Sequence, residues 1–219
     1  MQIRYAVIAA VVAAMPSVAY GQDARLEPLR HGDRFFEANA GYSWYSPRGG
    51  GWGLITGRRV YLTALRAEWV VNSGPHVAWG YVVEWTPLAV VQRVSRAETY
   101  ACRESGAGRY CERDISDLVA IGTGVSPFGL KMYLNPSGTA RPFAHAAVGG
   151  IAFSSEVPVH NSTHLNFTVE YGGGIELARR DGRAAILGFR FHHISNGSIG
   201  ELNPGLDANV IYVGFKKRR

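Results

Sequence analysis

Near its C-terminus the chain reads Phe189-Arg-Phe-His-His193-Ile-Ser195-Asn-Gly-Ser-Ile-Gly-Glu-Leu-Asn203-Pro-Gly205-Leu-Asp207. His193 and Ser195 stand two residues apart, so on a β-strand both side chains leave the same face. A histidine so placed can take the serine proton and later return it to a leaving alcohol, provided that a carboxylate holds its other nitrogen. Asp207 opens the next extended segment, within lateral reach across a hairpin; Glu201, in the loop between, is the alternative acid. Leu187, Phe189 and Phe191 share parity with His193 and Ser195, and Ile211, Val213 and Phe215 share it with Asp207. Arg190 and His192 point the other way. The three reactive residues thus belong to an apolar face, where polar groups are costly in a membrane unless they pair with one another or serve a purpose.

Rival chemistries find less support. Cys102 and Cys111 bracket a short glycine-containing run, and in an exported chain their natural use is a single disulfide pinning a hairpin loop. Two cysteines alone make a poor zinc site, and no spacing resembles a metal centre, a glycine-rich phosphate loop or a dinucleotide fingerprint. The expectation is a site without metal or cofactor. His76, His164 and His192 have the parity of a charge-bearing face and are expected to hydrogen-bond within it, while His145 fits either face. His31 and His160 fall in flanking or loop segments.

The elements that must position these residues follow from hydrophobic period. After a polar lead-in to about residue 34 the chain breaks into segments of alternating polarity separated by turn residues, with no convincing amphipathic helix. Strands are expected near 35–45, 59–71, 76–86, 117–125, 140–153, 163–178, 183–195 and 207–216, and eight strands permit a closed antiparallel barrel. In 163–178, Leu165, Phe167, Val169, Tyr171, Ile175 and Leu177 share one face, and His164, Asn166, Thr168, Glu170 and Glu176 share the other. Trp79, Tyr81, Val83 and Trp85 oppose Gly80, Glu84 and Thr86 in the same manner, and Tyr61, Leu65, Trp69 and Val71 oppose Arg66 and Glu68. The run Tyr171-Gly-Gly-Gly174 marks a tightly curved stretch.

Period alone leaves a soluble lipid-binding barrel, with its apolar face inside, as an alternative. Two features favour the membrane. Charged residues make up only 18% of the chain and the strands hold few lysines, whereas a soluble barrel needs many on its outer face. Tyr42, Trp44, Trp69, Trp79, Trp85 and Tyr212 are expected to supply aromatic girdles at the membrane interfaces. The fold expected is therefore all-β, an eight-stranded antiparallel transmembrane β-barrel. Turn chemistry at Asn72-Ser-Gly-Pro75, Asn135-Pro-Ser-Gly138 and Arg180-Asp-Gly-Arg183 marks the periplasmic end, and the longer links mark the outer one. The His193–Asp207 segment then lies at the outer leaflet.

Composition agrees with export. Met1-Gln-Ile-Arg4, an apolar stretch from Tyr5 to Met15 and a small-residue region with cleavage after Ala19 or Gly21 make residues 1–21 a signal peptide, leaving 22–219 as one barrel domain. That stretch is too short to span a membrane, and no later run is long enough for a spanning helix. Of the net charge of +6, Arg4 and the tail Lys216-Lys-Arg-Arg219 account for nearly all, so the body is close to neutral and nucleic acid is not an expected partner. The tail reads as solvated, with contact to anionic headgroups as the sharper reading.

The stretch from His193 to Asp207 resembles the C-terminal motif of the PagL-type lipid A 3-O-deacylases, eight-stranded outer-membrane barrels marked by His-x-Ser-Asn followed by Asn-x-Gly and an acid, typically glutamate. The resemblance implies His193 as base, Ser195 as nucleophile and Asp207 as the acid, with Asn196, Asn203 and the Gly197 amide around an oxyanion. It also implies an esterase in the outer membrane, with lipid A or lipopolysaccharide as substrate and outer-membrane lipids as surroundings. A homodimer is compatible with the sequence. Competing readings are a noncatalytic adhesin or structural barrel, and a lipid acyl hydrolase or acyltransferase acting on a different bond.

Overall fold

In this computed structural model, residues 26–44, 46–47, 52–93, 99–105, 108–114 and 119–219 are described, with backbone alone for 99–114. The expected signal peptide lies outside the described residues. Eight strands close one barrel: β1 (Arg34–Ser43), β2 (Arg58–Ser73), β3 (Val77–Arg93), β6 (Val119–Leu134), β7 (Ala140–Val157), β8 (Thr163–Ala178), β9 (Arg183–Ser195) and β10 (Leu206–Arg218). Each pairs antiparallel with its chain neighbours, and β1 closes on β10 from Phe35 opposite Arg218 to Tyr42 opposite Ile211. β4 (Thr99–Ser105) and β5 (Gly108–Asp114) form a separate hairpin in the longest outer connection. Cys102 is the register partner of Cys111 there. Directly opposed residues have Cα atoms about 4.5–5.5 Å apart, within disulfide reach; the bond itself lies outside the described residues.

The faces follow the alternation. Leu165, Phe167, Tyr171, Leu177, Leu187, Phe189, Ile211 and Phe215 are exposed, as are Tyr61, Leu65, Trp79 and Trp85. A closed ladder satisfies its backbone internally, so this apolar belt faces lipid. The lumen is filled in layers. At mid-depth Arg66 binds Glu37, Glu84 and Glu170, while Arg190 joins Glu84 to Glu170. Nearer the periplasmic end Lys131, Lys216, Glu68, Glu176 and Tyr133 form a second network, with Arg141 on Glu176. The outer end of the lumen is an apolar plug that includes Ile55, Val60, Val91, Ile151, Phe153, Ile194, Leu206 and Val210.

Several expectations are corrected. The strand expected at 117–125 continues to Leu134, and the one expected at 76–86 continues to Arg93. Pro127 and Pro87 lie within register shifts, between Val125 and Phe128 and between Thr86 and Ala89. A proline has no N–H for the ladder, so each strand survives it as a bulge instead of ending. Tyr212 is not in an aromatic girdle. It shares parity with Val210 and lies 1% exposed in the lumen, its ring 5.6 Å from the Arg66 guanidinium and 5.3 Å from that of Arg190. Of the histidines assigned to the inner charge network only His192 is in it, through Glu170. His76 is exposed in the β2–β3 turn, and His164 sits exposed at the start of β8 on the Phe153 carbonyl. Strand parity does not dictate burial at turns and rims. His145 faces inward, 8% exposed, 3.8 Å from Glu170.

Candidate active site

The last two strands bring His193 and Asp207 into contact and set Ser195 on the same face. In the β9–β10 register Asp207 is directly opposite His193, and both lie on the outward face, where Phe189 and Leu187 are exposed two and three positions down the strand's alternation. His193 Nδ1 and Asp207 Oδ1 are 2.6 Å apart, a short charge-assisted hydrogen bond. With Nδ1 engaged, Nε2 is the nitrogen left for chemistry. Ser195 follows on the same face, half-buried and opposite Phe167 of β8. Its hydroxyl makes no hydrogen bond among the described residues, to His193 or to any other group. Glu201 is exposed in the loop and has no partner among the described residues. Of the two candidate acids, the structure therefore joins Asp207 to the histidine.

Unlike most of the outward face, this pair is covered, as is Phe191 beside it. Asp207 is wholly buried and His193 is 7% exposed. The cover is a strap from the β1–β2 connection, residues 52–55, laid beside the chain that leads into β10. Leu54 N–H donates to the Pro204 carbonyl at 2.7 Å, Ile55 N–H to Gly205 at 3.2 Å, and Ile55 forms a parallel bridge with Leu206. Gly53 N–H donates to Asp207 Oδ2 at 2.8 Å, and the Trp52 ring stands edge-on to His193, centroids 5.3 Å apart. Gly205 makes the close approach feasible. Its φ of 64° is left-handed, and a Cβ there would lie 3.0 Å from His193 Cε1 and 3.2 Å from Gly53 Cα.

The turn beyond Ser195 is built on asparagine. Asn196, 1% exposed, donates its side-chain amide to the Leu202 carbonyl at 2.8 Å and accepts from Ser198 N–H at 2.9 Å. Its backbone N–H donates to Asn203 Oδ1 at 3.0 Å. These bonds hold the loop across its base, which suits Asn196 to shaping the turn. The exposed Gly197, with φ of 63°, has no acceptor for its N–H among the described residues and remains a donor for a ligand. Asn203 Nδ2 has only a long contact, 3.3 Å, with Ser198 Oγ. Cys102 and Cys111 belong to the separate hairpin. Sequence reasoning missed Trp52 and Gly53, which lie in an aperiodic stretch; a tryptophan between glycines was the only hint.

A family model for the lipid A 3-O-deacylase PagL matches residues 36–216, nearly the whole barrel. The chain belongs to the lipid A 3-O-deacylase family. The crystal structure of the outer membrane enzyme PagL shares the fold at a TM-score of 0.54 with 15% identity, covering 81% of this chain and 97% of that one. Neisserial surface protein A gives 0.49 with 9% identity over 84% and 96% of the two chains, and the outer membrane protein OprG from Pseudomonas aeruginosa gives 0.48 with 11% over 89% and 99%. No curated protein matches in sequence. As a member of the deacylase family with a closed barrel and an apolar outer belt, the protein resides in the outer membrane. Among the described residues no group of histidine, cysteine and acidic side chains could hold a metal ion.

Proposed function

We propose that this protein is a serine esterase that hydrolyses the 3-O-linked hydroxyacyl ester of lipid A. The observation that carries the reading is the His193–Asp207 hydrogen bond of 2.6 Å, formed on the outward face at the outer end of the barrel with Ser195 next on that face. Ester hydrolysis at a leaflet needs its base and nucleophile directed at lipid, and a noncatalytic barrel has no use for that arrangement.

His193 Nε2 removes the Ser195 proton as the hydroxyl oxygen attacks the ester carbonyl, and Asp207 steadies the imidazolium that results. The carbonyl π pair moves onto oxygen. Negative charge developing there is met by the Gly197 amide and the Asn203 side chain, within the turn that Asn196 shapes. Collapse of the intermediate breaks the bond to the glucosamine oxygen, which takes the proton from His193. Water then attacks the acyl-serine by the same route, restoring Ser195 and releasing a fatty acid.

Mass spectrometry of lipid A from cells producing the wild-type protein or Ser195→Ala tests this reading. Loss of a single 3-O hydroxyacyl chain with the wild type, and an intact lipid A with the variant, is expected. Loss of a different ester chain would move the bond specificity. Unchanged lipid A in both strains, with the barrel folded in the outer membrane, would sink the enzyme.

A further inference from the structure

The strap over the site is more than packing. Asp207 is wholly buried at the edge of an apolar belt, and among the described residues neither lysine nor arginine lies within ion-pair distance of it. Its carboxylate has two donors from two separate parts of the chain: His193 Nδ1 on Oδ1 and the Gly53 amide on Oδ2, at 2.6 and 2.8 Å. An aspartate's terminal torsion is broad, so one hydrogen bond leaves the carboxylate plane free to swing. Two bonds to different oxygens fix it. A buried carboxylate oxygen without a donor is also costly, which makes the second bond matter for the ionised acid.

We infer that Gly53 is a positioning residue for catalysis, its backbone N–H holding Asp207 so that Asp207 can hold His193, with the Trp52 ring packed edge-on against the imidazole. The inference rests on the triad reading above. Glycine is needed at this position because a Cβ would stand 2.7 Å from Asp207 N, 2.9 Å from Leu206 C and 3.0 Å from Asp207 Cγ. Backbone atoms account for two of these contacts, and they cannot move aside as a flexible side chain would. The strap is anchored from within by Ile55, which is buried in the plug, while Trp52 and Leu54 are 62% and 57% exposed. It is thus tied to the lumen at one residue and presented to the surroundings at its neighbours.

The test is a mutant cycle on the full-length protein in detergent, with kcat and KM measured on lipid A and folding checked by mobility on unheated gels. Gly53→Ala should lower kcat about 10- to 100-fold while changing KM less than about threefold, the pattern of lost alignment at the reacting groups. In an Asp207→Asn background the same substitution should cost less than about twofold more, because residues acting through one unit are not additive. Trp52→Ala should lower kcat about 3- to 10-fold with the same dependence on Asp207; it decides the question if Gly53→Ala does not fold. Wild-type kcat in the strap variants, or their full loss repeated on top of Asp207→Asn, would overturn the role of the strap alone. Wild-type turnover in Asp207→Asn itself would instead overturn the acid assignment, and the strap's role with it.

Discussion

Adjacent residues on β9 make two histidine–carboxylate pairs that point in opposite directions. His192 turns into the lumen, its Nδ1 3.1 Å from Glu170 Oε2, and His193 turns outward, its Nδ1 2.6 Å from Asp207 Oδ1. Both histidines and both acids are buried. The difference lies in what else each acid holds. Glu170 is shared with Arg66 and Arg190, within the buried charge layer at mid-depth. Among the described residues Asp207 binds only its histidine and the Gly53 amide, and the next residue after His193 on that face is Ser195. On the proposed reading, what separates the outer histidine from the inner one is an acid not shared with arginine and a serine next on the same outward face.

The contrast is broken most severely at the outer pair. Ser195→Ala and His193→Ala should each lower deacylation by more than about 10⁴-fold while leaving a barrel that still migrates as folded on unheated gels. Turnover near wild type in either would refute the mechanism. Next in size is Asp207→Asn, expected to cost about 10²- to 10⁴-fold, because an amide holds the imidazole in the wrong tautomer and cannot stabilise the imidazolium. Asp207→Glu should keep substantial activity, as the family resemblance implies, and Glu201→Gln should change little. The reverse pattern would move the acid into the loop.

The inner pair should answer in stability instead of rate. Glu170→Gln removes a carboxylate from between two buried arginines and should destabilise the barrel by about 3–5 kcal/mol, read as a lower temperature for loss of the folded gel band. His192→Ala should cost about 1–2 kcal/mol, since Glu170 keeps its arginines, with kcat within about twofold of wild type. A large kcat loss in a folded His192→Ala protein would erase the distinction between the pairs. The smallest effect belongs to the β4–β5 hairpin. Thiol titration of protein from the outer membrane should find Cys102 and Cys111 bonded, and Cys102→Ser should leave the barrel intact, because the bridge would close a hairpin that is not part of the barrel ladder.

How far these regions could be read from sequence depended on periodicity. The outward face of β9 was legible from Leu187, Phe189 and Phe191, and the same count led to Asp207, so the histidine and its acid could be placed before any contact was seen. Tyr212 shows the cost of setting parity aside: it was expected in a girdle for its ring alone, yet it alternates with Ile211 and Val213 and is buried on the inner face. Where alternation fails, the sequence is silent. Pro87 and Pro127 hid the full length of β3 and β6 because a bulge looks like a break. The strap was invisible for a different reason: its bond from Gly53 to Asp207 joins residues 154 positions apart and uses a backbone amide, which no residue type announces. The apolar plug was likewise hidden, since alternation had marked the inner face as the charge-bearing one, whereas at the outer end Ile194, Leu206 and Val210 face inward.

That the proposed site lies on the lipid-facing wall of the barrel decides what kind of kinetics the proposed reaction obeys. Ser195 and His193 lie on the barrel's outer wall, and the lumen beside them is filled, so no substrate approaches through the interior. Encounter is then a search in two dimensions. The controlling variable is the mole fraction of lipid A in the surrounding leaflet or micelle, not its bulk concentration. Diluting the surface with inert detergent at constant total lipid A should slow the enzyme, and the freed fatty acid, never having left the leaflet, should accumulate beside the site as a competitor.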